Sequence, residues 1–202
     1  MSAEPPAASE ARINLRSIKA LCVDSNQLGL EILGQMLMGF GVERIVRAQS
    51  GEEARRIVKA EAIDLILCDA SLADETGYEL IRWLRRSDIE PNRFAPIIVV
   101  SGHTREREVN NARDAGANFV VAKPTSPAVL MQRIYWVAQG GRSFVEAPNF
   151  TGPDRRFKFD GPPNGGGGRR KCDLSGELGD AKDPNLSQDE IDSVIKPQKV
   201  SL

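Results

Sequence analysis

LILCDASLADETG, Leu65 to Gly77, is the stretch on which the reading of this chain turns. It opens as an apolar run of the kind found in strands covered on both faces. It then stops on a carboxylate, Asp69, where small and turn-forming residues take over. A carboxylate at such a junction either solvates the end of a strand or stands at the rim of a sheet as a nucleophile or metal ligand.

The same pattern recurs on both sides. IKALCV (Ile18–Val23), RIVRA (Arg44–Ala48), DLILCD (Asp64–Asp69), PIIVVS (Pro96–Ser101) and FVVAKP (Phe119–Pro124) read as five short strands. Helical spacing fills the intervals. Gln27–Phe40 places Leu30, Leu33 and Leu37 on one face, and Gly41 fits its stop. Ser50 caps a second helix that runs through Val58, with Glu53 completing a capping box. Tyr78–Arg86 turns Leu80, Ile81 and Leu84 inward and leaves Arg82, Arg85 and Arg86 solvated. Arg105–Ala115 is closed by Gly116, and Ser126–Gln139 by the Gly140-Gly141 pair. Strands alternating with helices predict an α/β, doubly wound five-stranded parallel sheet with five helices and strand order 2-1-3-4-5. Ligands of such sheets sit beyond the carboxyl ends of the strands.

Asp24 ends the first strand, Asp69 the third, Ser101 the fourth and Lys123 the fifth. In the order 2-1-3-4-5 the first and third strands are neighbours, so Asp24 and Asp69 face one crevice. Two close carboxylates repel unless a cation or a proton lies between them. A hard ion such as Mg²⁺, which takes one or two carboxylates and keeps several waters, suits the place. Lys123 and Ser101 add an ammonium and a hydroxyl, a set able to hold a phosphoryl group. Singly, each residue has a plainer explanation: a helix cap for Asp24, a strand end for Asp69, a turn for Ser101, a solvated charge for Lys123. Their joint placement at four strand ends favours a site.

Residues Ser17 to Gln139 resemble the receiver domain of two-component response regulators. The resemblance is carried by VDSN, LILCD with Gly77 eight residues on, IIVVSG and GANFVVAKP, in this order. It implies that Asp69 accepts a phosphoryl group from a phosphohistidine on a sensor kinase or phosphotransfer protein. Asp24 and the backbone carbonyl of Ser71 would join Asp69 around Mg²⁺. Lys123 would contact the phosphoryl group, Ser101 would turn inward to bond it, and Lys123-Pro124 would be a cis peptide. Four positions depart from the family. Ser25 stands where a second acid usually ligates the metal, which weakens the Mg²⁺ site. Ala73 and Thr76 replace a usual proline and acid in the loop before Gly77. Val120 stands where many receivers carry an aromatic residue, and Phe119 points to the opposite face of its strand. His103 reads as an exposed loop residue.

Composition bounds the rest. The chain has 202 residues, 27 Lys+Arg against 28 Asp+Glu and a net charge of -1, which gives no overall bias towards nucleic acid. Cys22, Cys68 and Cys172 are too dispersed for a disulfide framework or a zinc site. No apolar run approaches the ~20 residues that span a bilayer, and MSAEPPAASEAR has no apolar signal region. A cytoplasmic protein is the expectation, with no DNA and no membrane partner.

Residues 1–16 read as a flexible arm, 17–141 as the receiver and 142–184 as a Gly/Pro-rich basic linker containing Gly165–Gly168. Its clusters Arg155, Arg156, Lys158 and Arg169, Arg170, Lys171 read as solvated charge. Residues 185–202 hold a short amphipathic helix in an otherwise largely disordered tail. Ser187 caps it, Glu190 completes the box, Leu186 staples against Ile191, and Ile191, Val194 and Ile195 form one apolar face. LSQDEID resembles the N-terminal peptide of the flagellar motor-switch protein, which binds the phosphorylated chemotaxis receiver. That resemblance implies docking on the face of the fourth and fifth helices and fifth strand, in the same chain, a second copy or another protein. The same face offers a dimer contact. The expected function is a single-domain response regulator, not an enzyme, that signals by phosphorylation-dependent protein–protein interaction. The competing expectation is a pseudo-receiver that keeps the fold as a constitutive adaptor. A phosphatase is disfavoured, because the second carboxylate expected two residues after the nucleophile is Ser71.

Overall fold

Runs of Val, Ile and Leu with no polar alternation can be buried only inside a sheet covered on both sides, and that is where this chain puts them. The computed structural model describes residues 14–138, 143–147, 150–154 and 186–195. β1 (Lys19–Val23), β2 (Arg44–Ala48), β3 (Leu65–Cys68), β4 (Ile97–Ser101) and β5 (Phe119–Ala122) form one sheet in the order β2-β1-β3-β4-β5. Every pairing is parallel. α1 (Gln27–Gly39), α2 (Gly51–Ala60), α3 (Gly77–Arg86), α4 (Glu106–Ala115) and α5 (Pro127–Ala138) supply the crossovers. The doubly wound fold is the expected one, with strand ends shifted by a residue or two.

Helix starts follow local chemistry, with some differences from the sequence reading. Asn26 caps α1, its Oδ1 accepting the Leu28 N–H at 2.9 Å, so Asp24 is not the cap. Ser50 caps α2, but Glu53 closes no capping box: its carboxylate reaches one residue further back and accepts the Gln49 N–H. The complete capping box lies on α3, between Thr76 and Glu79. Gly116 ends α4 with φ at +101°, a left-handed turn that a glycine makes without penalty.

Arg85 overturns the expectation that it is solvated. It is 1% exposed, lying beneath the loops that lead into β4 and β5. Its Nε donates to the Gly116 carbonyl at 3.0 Å, Nη1 to the Arg93 and Ala95 carbonyls, and Nη2 to Asn118 Oδ1. All four acceptors are neutral, and burial pushes its pKa down to about 9. Asn92, in the 3₁₀ turn Asn92–Phe94, does the same work with an amide. It donates to the Val58 and Glu61 carbonyls and accepts the Ile63 N–H, tying the end of α2 to the entry of β3.

The linker assigned from residue 142 is also corrected. β6 (Phe144–Ala147) and β7 (Phe150–Pro153) form an antiparallel hairpin against α3 and α4. Phe150 is buried, Phe144 stacks edge-on against Phe94 at 4.9 Å, and Arg93 pairs with Glu146 at 2.6 Å. Gly116 and Gly152 meet where the hairpin crosses; a Cβ on Gly152 would lie 2.8 Å from Gly116 Cα. Beyond the hairpin, α6 (Gln188–Ile195) lies against α4 and β5, with Ile191 0% exposed. The N-terminal arm before residue 14, the basic clusters of 155–171, Gly165–Gly168 and Cys172 lie outside the described residues. Among the described residues no helix is long and apolar enough to cross a membrane.

Replacing Arg85 with leucine strips three backbone carbonyls of their donor in a place closed to water. Urea denaturation of Arg85→Leu is expected to show a loss of at least about 2 kcal/mol. Arg86→Leu, one position on at an exposed site, is expected to change stability by less than about 0.5 kcal/mol.

Candidate functional site

The site is built by strand register. Val23 pairs with Cys68, so the next residues, Asp24 and Asp69, leave adjacent strands side by side. Ser101 pairs with Ala122, which brings Lys123 out of β5 just past the end of β4. The Asp69 N–H donates to the Val23 carbonyl and the Lys123 N–H to the Ser101 carbonyl, both at 2.8 Å, extending the ladder to the rim.

The Lys123 ammonium lies between the two acids. Nζ donates to Asp24 Oδ2 at 2.7 Å and, in a shorter contact, to Asp69 Oδ2. The remaining oxygens are also engaged: Asp24 Oδ1 accepts the Asn26 N–H and Asp69 Oδ1 the Ser71 N–H. Asp24 is 1% exposed, whereas the side chains of Asp69 and Lys123 are partly open to solvent. Burial alone would lower the lysine pKa. The hydrogen bonds and charges of Asp24 and Asp69 outweigh it and hold the group above its ordinary value.

Small residues keep the place open. A Cβ on Gly29 would lie 2.4 Å from Asp24 Oδ2, and one on Gly77 would lie 2.0 Å from the Asp69 carbonyl oxygen. A cleft of about 540 Å³ runs from Asp69 and Lys123 past Ser25 and along α1 to Leu28 and Ile32. Ser25 sits beside the acids, and its hydroxyl donates to the Ser71 carbonyl at 3.4 Å. The Lys123-Pro124 peptide is cis, as is Glu90-Pro91.

Asp24, Asp69, Ser71 and Lys123 are thus together. Ser101 is near but occupied: its hydroxyl donates to the His103 carbonyl at 3.1 Å and accepts the His103 N–H at 3.0 Å. His103 is exposed. As donors for a divalent ion, the two carboxylates and the Ser71 carbonyl are hard oxygens of the kind that Mg²⁺ takes. No group of three acidic, His or Cys side chains suited to a metal occurs among the described residues.

The loop after Asp69 carries residues that the sequence reading missed. Asp74 accepts the N–H groups of Gly51 and Glu52, capping α2 from across the chain, and these bonds hold its carboxyl below the usual range. Glu75 pairs with Arg55 at 2.6 Å. The pattern Thr76-Gly-Tyr-Glu79 was the one local signal, a capping box; nothing local marks Asp74 as a partner of α2.

With this geometry in hand, likeness to other proteins is informative. Residues 20–135 match the family model for the response regulator receiver domain. The polar-differentiation response regulator DivK of Brucella ovis is 30% identical over 106 residues, 52% of this chain and 84% of DivK. The virulence sensor protein BvgS of Bordetella pertussis is 30% identical over 140 residues, 66% of this chain but only 11% of that sensor. A CheY-like receiver domain protein from Methanospirillum hungatei superimposes with a TM-score of 0.55 at 26% identity, over 61% of this chain and 96% of that one.

Lys123→Met leaves two carboxylates without their cation and is expected to cost roughly 2 kcal/mol at neutral pH, discounted for partial exposure. The pH dependence has a definite sign. A lysine whose folded pKa is raised stabilises fully below the unfolded value of 10.5 and loses that contribution as pH rises through the folded value. Urea titrations should therefore show a constant gap between wild type and variant at neutral to mildly alkaline pH, closing only above 10.5.

Proposed function

The chain belongs to the response regulator receiver domain family, and on that premise we propose that Asp69 accepts a phosphoryl group from a phosphohistidine and so gates protein–protein interaction. One observation carries the reading: of the two acids that line the cleft, Asp69 is the one partly open to solvent, while Asp24 beside it is buried, and both share the Lys123 ammonium. An Asp69 oxygen attacks phosphorus, the P–N bond to the donor imidazole breaks, and its electron pair leaves with the imidazole. The product is an acyl phosphate. Lys123 is placed to move its bond from the Asp69 carboxylate to a phosphoryl oxygen as charge accumulates there. Ser101 reaches the same group by releasing His103.

Asp24, Asp69 and the Ser71 carbonyl would hold Mg²⁺, which supplies charge neutralisation for the phosphoryl oxygens. Ser25 withholds the further carboxylate and engages the Ser71 carbonyl instead, so the metal site is weak. The donor is a sensor histidine kinase or a phosphotransfer protein, and the setting is the cytoplasm. The chain acts as a phosphoryl acceptor that signals, not as a turnover enzyme, and its output is a protein contact rather than DNA. Residues 185–197, similar to the receiver-binding peptide of the flagellar motor switch, are its docking element towards a target or another receiver.

A second reading, a pseudo-receiver that is never phosphorylated, is favoured by Ser25 alone. Incubation with Mg²⁺ and acetyl phosphate, followed by intact-mass measurement, separates the two. A phosphorylated species absent from Asp69→Asn is the expected result, and its absence even with Ser25→Asp would sink the proposal. Ser25→Asp is expected to tighten Mg²⁺ binding roughly tenfold by adding a ligand charge, read from a fluorescence or calorimetric titration.

A further inference from the structure

We infer that residues 186–195 are the resident occupant of the α4–β5 edge of their own chain, closing that edge to other helices until Asp69 is phosphorylated. The release half rests on the proposed role of Asp69; the docking half does not.

The contacts are specific. Among the described residues β5 is the last strand of the sheet, so the carbonyl of Val120 and the N–H of Ala122 have no described strand beyond them. The Gln188 side chain meets both: Oε1 accepts the Ala122 N–H at 2.9 Å and Nε2 donates to the Val120 carbonyl at 3.2 Å. One amide thus imitates a short piece of neighbouring strand. At the entry to α6 the Leu186 N–H donates to the Thr104 carbonyl at 2.9 Å, and the Thr104 hydroxyl donates to the Leu186 carbonyl at 2.8 Å. Leu186 packs on the core and Ile191 enters it.

A helix of this length is marginal alone, even with Ser187 and Glu190 bonded reciprocally at its start. Its order comes from the surface beneath it. Val120 fits this arrangement. The Phe119 ring meets Trp136 of α5 at 4.8 Å, so the next residue faces the opposite side of the sheet, towards α4. There Val120 is buried on the side of β5 where α6 packs, and a small side chain leaves that space to the helix.

The two anchor points of α6 are also the neighbours of the phosphoryl site. Thr104 ends the loop that Ser101 holds shut through its two bonds to His103. Ala122 directly precedes Lys123. Turning the Ser101 hydroxyl towards a phosphoryl group on Asp69 breaks both bonds to His103 and so reshapes the turn that presents Thr104 to α6. Docked α6 and an inward Ser101 therefore oppose each other, and by linkage a competitor that displaces α6 favours the phosphorylated state. The competitor is identified by chemistry: an amphipathic helix with an amide in its first turn and a branched aliphatic residue three positions on. The stretch of sequence between Asp154 and Leu186 is long enough, at a maximum of roughly 3.3 Å per residue, for α6 to reach its own β5.

The test uses the full-length chain labelled with ¹⁵N. Ile191→Asp places a charge in the buried position while leaving Gln188 and Thr104 intact. The amides of Ala122 and Leu186 are expected to shift well beyond the line width in the variant, and the wild-type positions to be independent of protein concentration. Unchanged amides, or positions that move with concentration as a second copy engages, would overturn docking in cis. Mg²⁺ and acetyl phosphate are then added to wild type, with intact mass read on the same sample. An adduct accompanied by movement of both amides towards the Ile191→Asp positions supports release. An adduct with no movement, or movement the other way, overturns release and leaves the phosphoacceptor reading standing. No adduct on wild type and none on Ser25→Asp removes the phosphoacceptor reading and release with it, while docking remains decided by the first comparison.

Discussion

The Lys123 ammonium is the group on which the rim of this sheet depends. Parallel register sets Asp24 and Asp69 side by side on adjacent strands, and Asp24 has almost no access to water. Their repulsion is tolerable only because a cation arrives between them from β5, beyond the intervening β4. That arrival needs the strand order and the pairing of Ser101 with Ala122, so the fold and the electrostatics of the site support each other. Arg85 is the contrasting case. It is a buried cation with carbonyl and amide acceptors and no acid, and its work is to hold together the segments leading into β4 and β5. One cation bridges two acids at an open rim; the other is fixed among neutral acceptors.

Most of the sheet was legible because its signal is redundant. Four of the five strands are nearly continuous apolar runs, the helices have their own period, and both lead to one topology. The site residues were legible for a related reason: strand ends are fixed once strands are. What escaped depends on partners distant in sequence. Arg85 stands between Leu84 and Arg86 on a helix and looks as solvated as its neighbours; only the return of residues 93–95 and 116–118 closes it in. The hairpin of β6 and β7 escaped because FTGP contains a glycine and a proline, which in isolation argue for a linker. Its stability comes from α3, α4 and Phe94 rather than from its own pattern. Asp74 looked like one more loop acid, although it caps a helix that starts more than twenty residues earlier.

These distant fastenings fix different parts of the rim to different degrees. The β3–α3 loop is held to α2 by Asp74 and Glu75, and Gly77 packs against the Asp69 backbone. The β4–α4 loop is tied to the Ser101 hydroxyl through His103 and to the entry of α6 through Thr104. The segment after Asp69 is thus tied towards α2, whereas the loop after β4 is tied towards α6.

The placement of the Gln188 amide on β5 has a consequence for the chain as a solute. An edge strand with free N–H and carbonyl groups is a template on which other chains can add strands, and proteins protect such edges with charge, proline, bulges or a covering segment. Here VVA at positions 120–122 carries none of the first three, and the covering segment is α6. Whenever the helix lifts away, the molecule uncovers not only a surface for a helix but also an adhesive margin of sheet. Under the proposed release, the same side chain that docks α6 also guards the sheet against self-association, a protection that the docked form keeps.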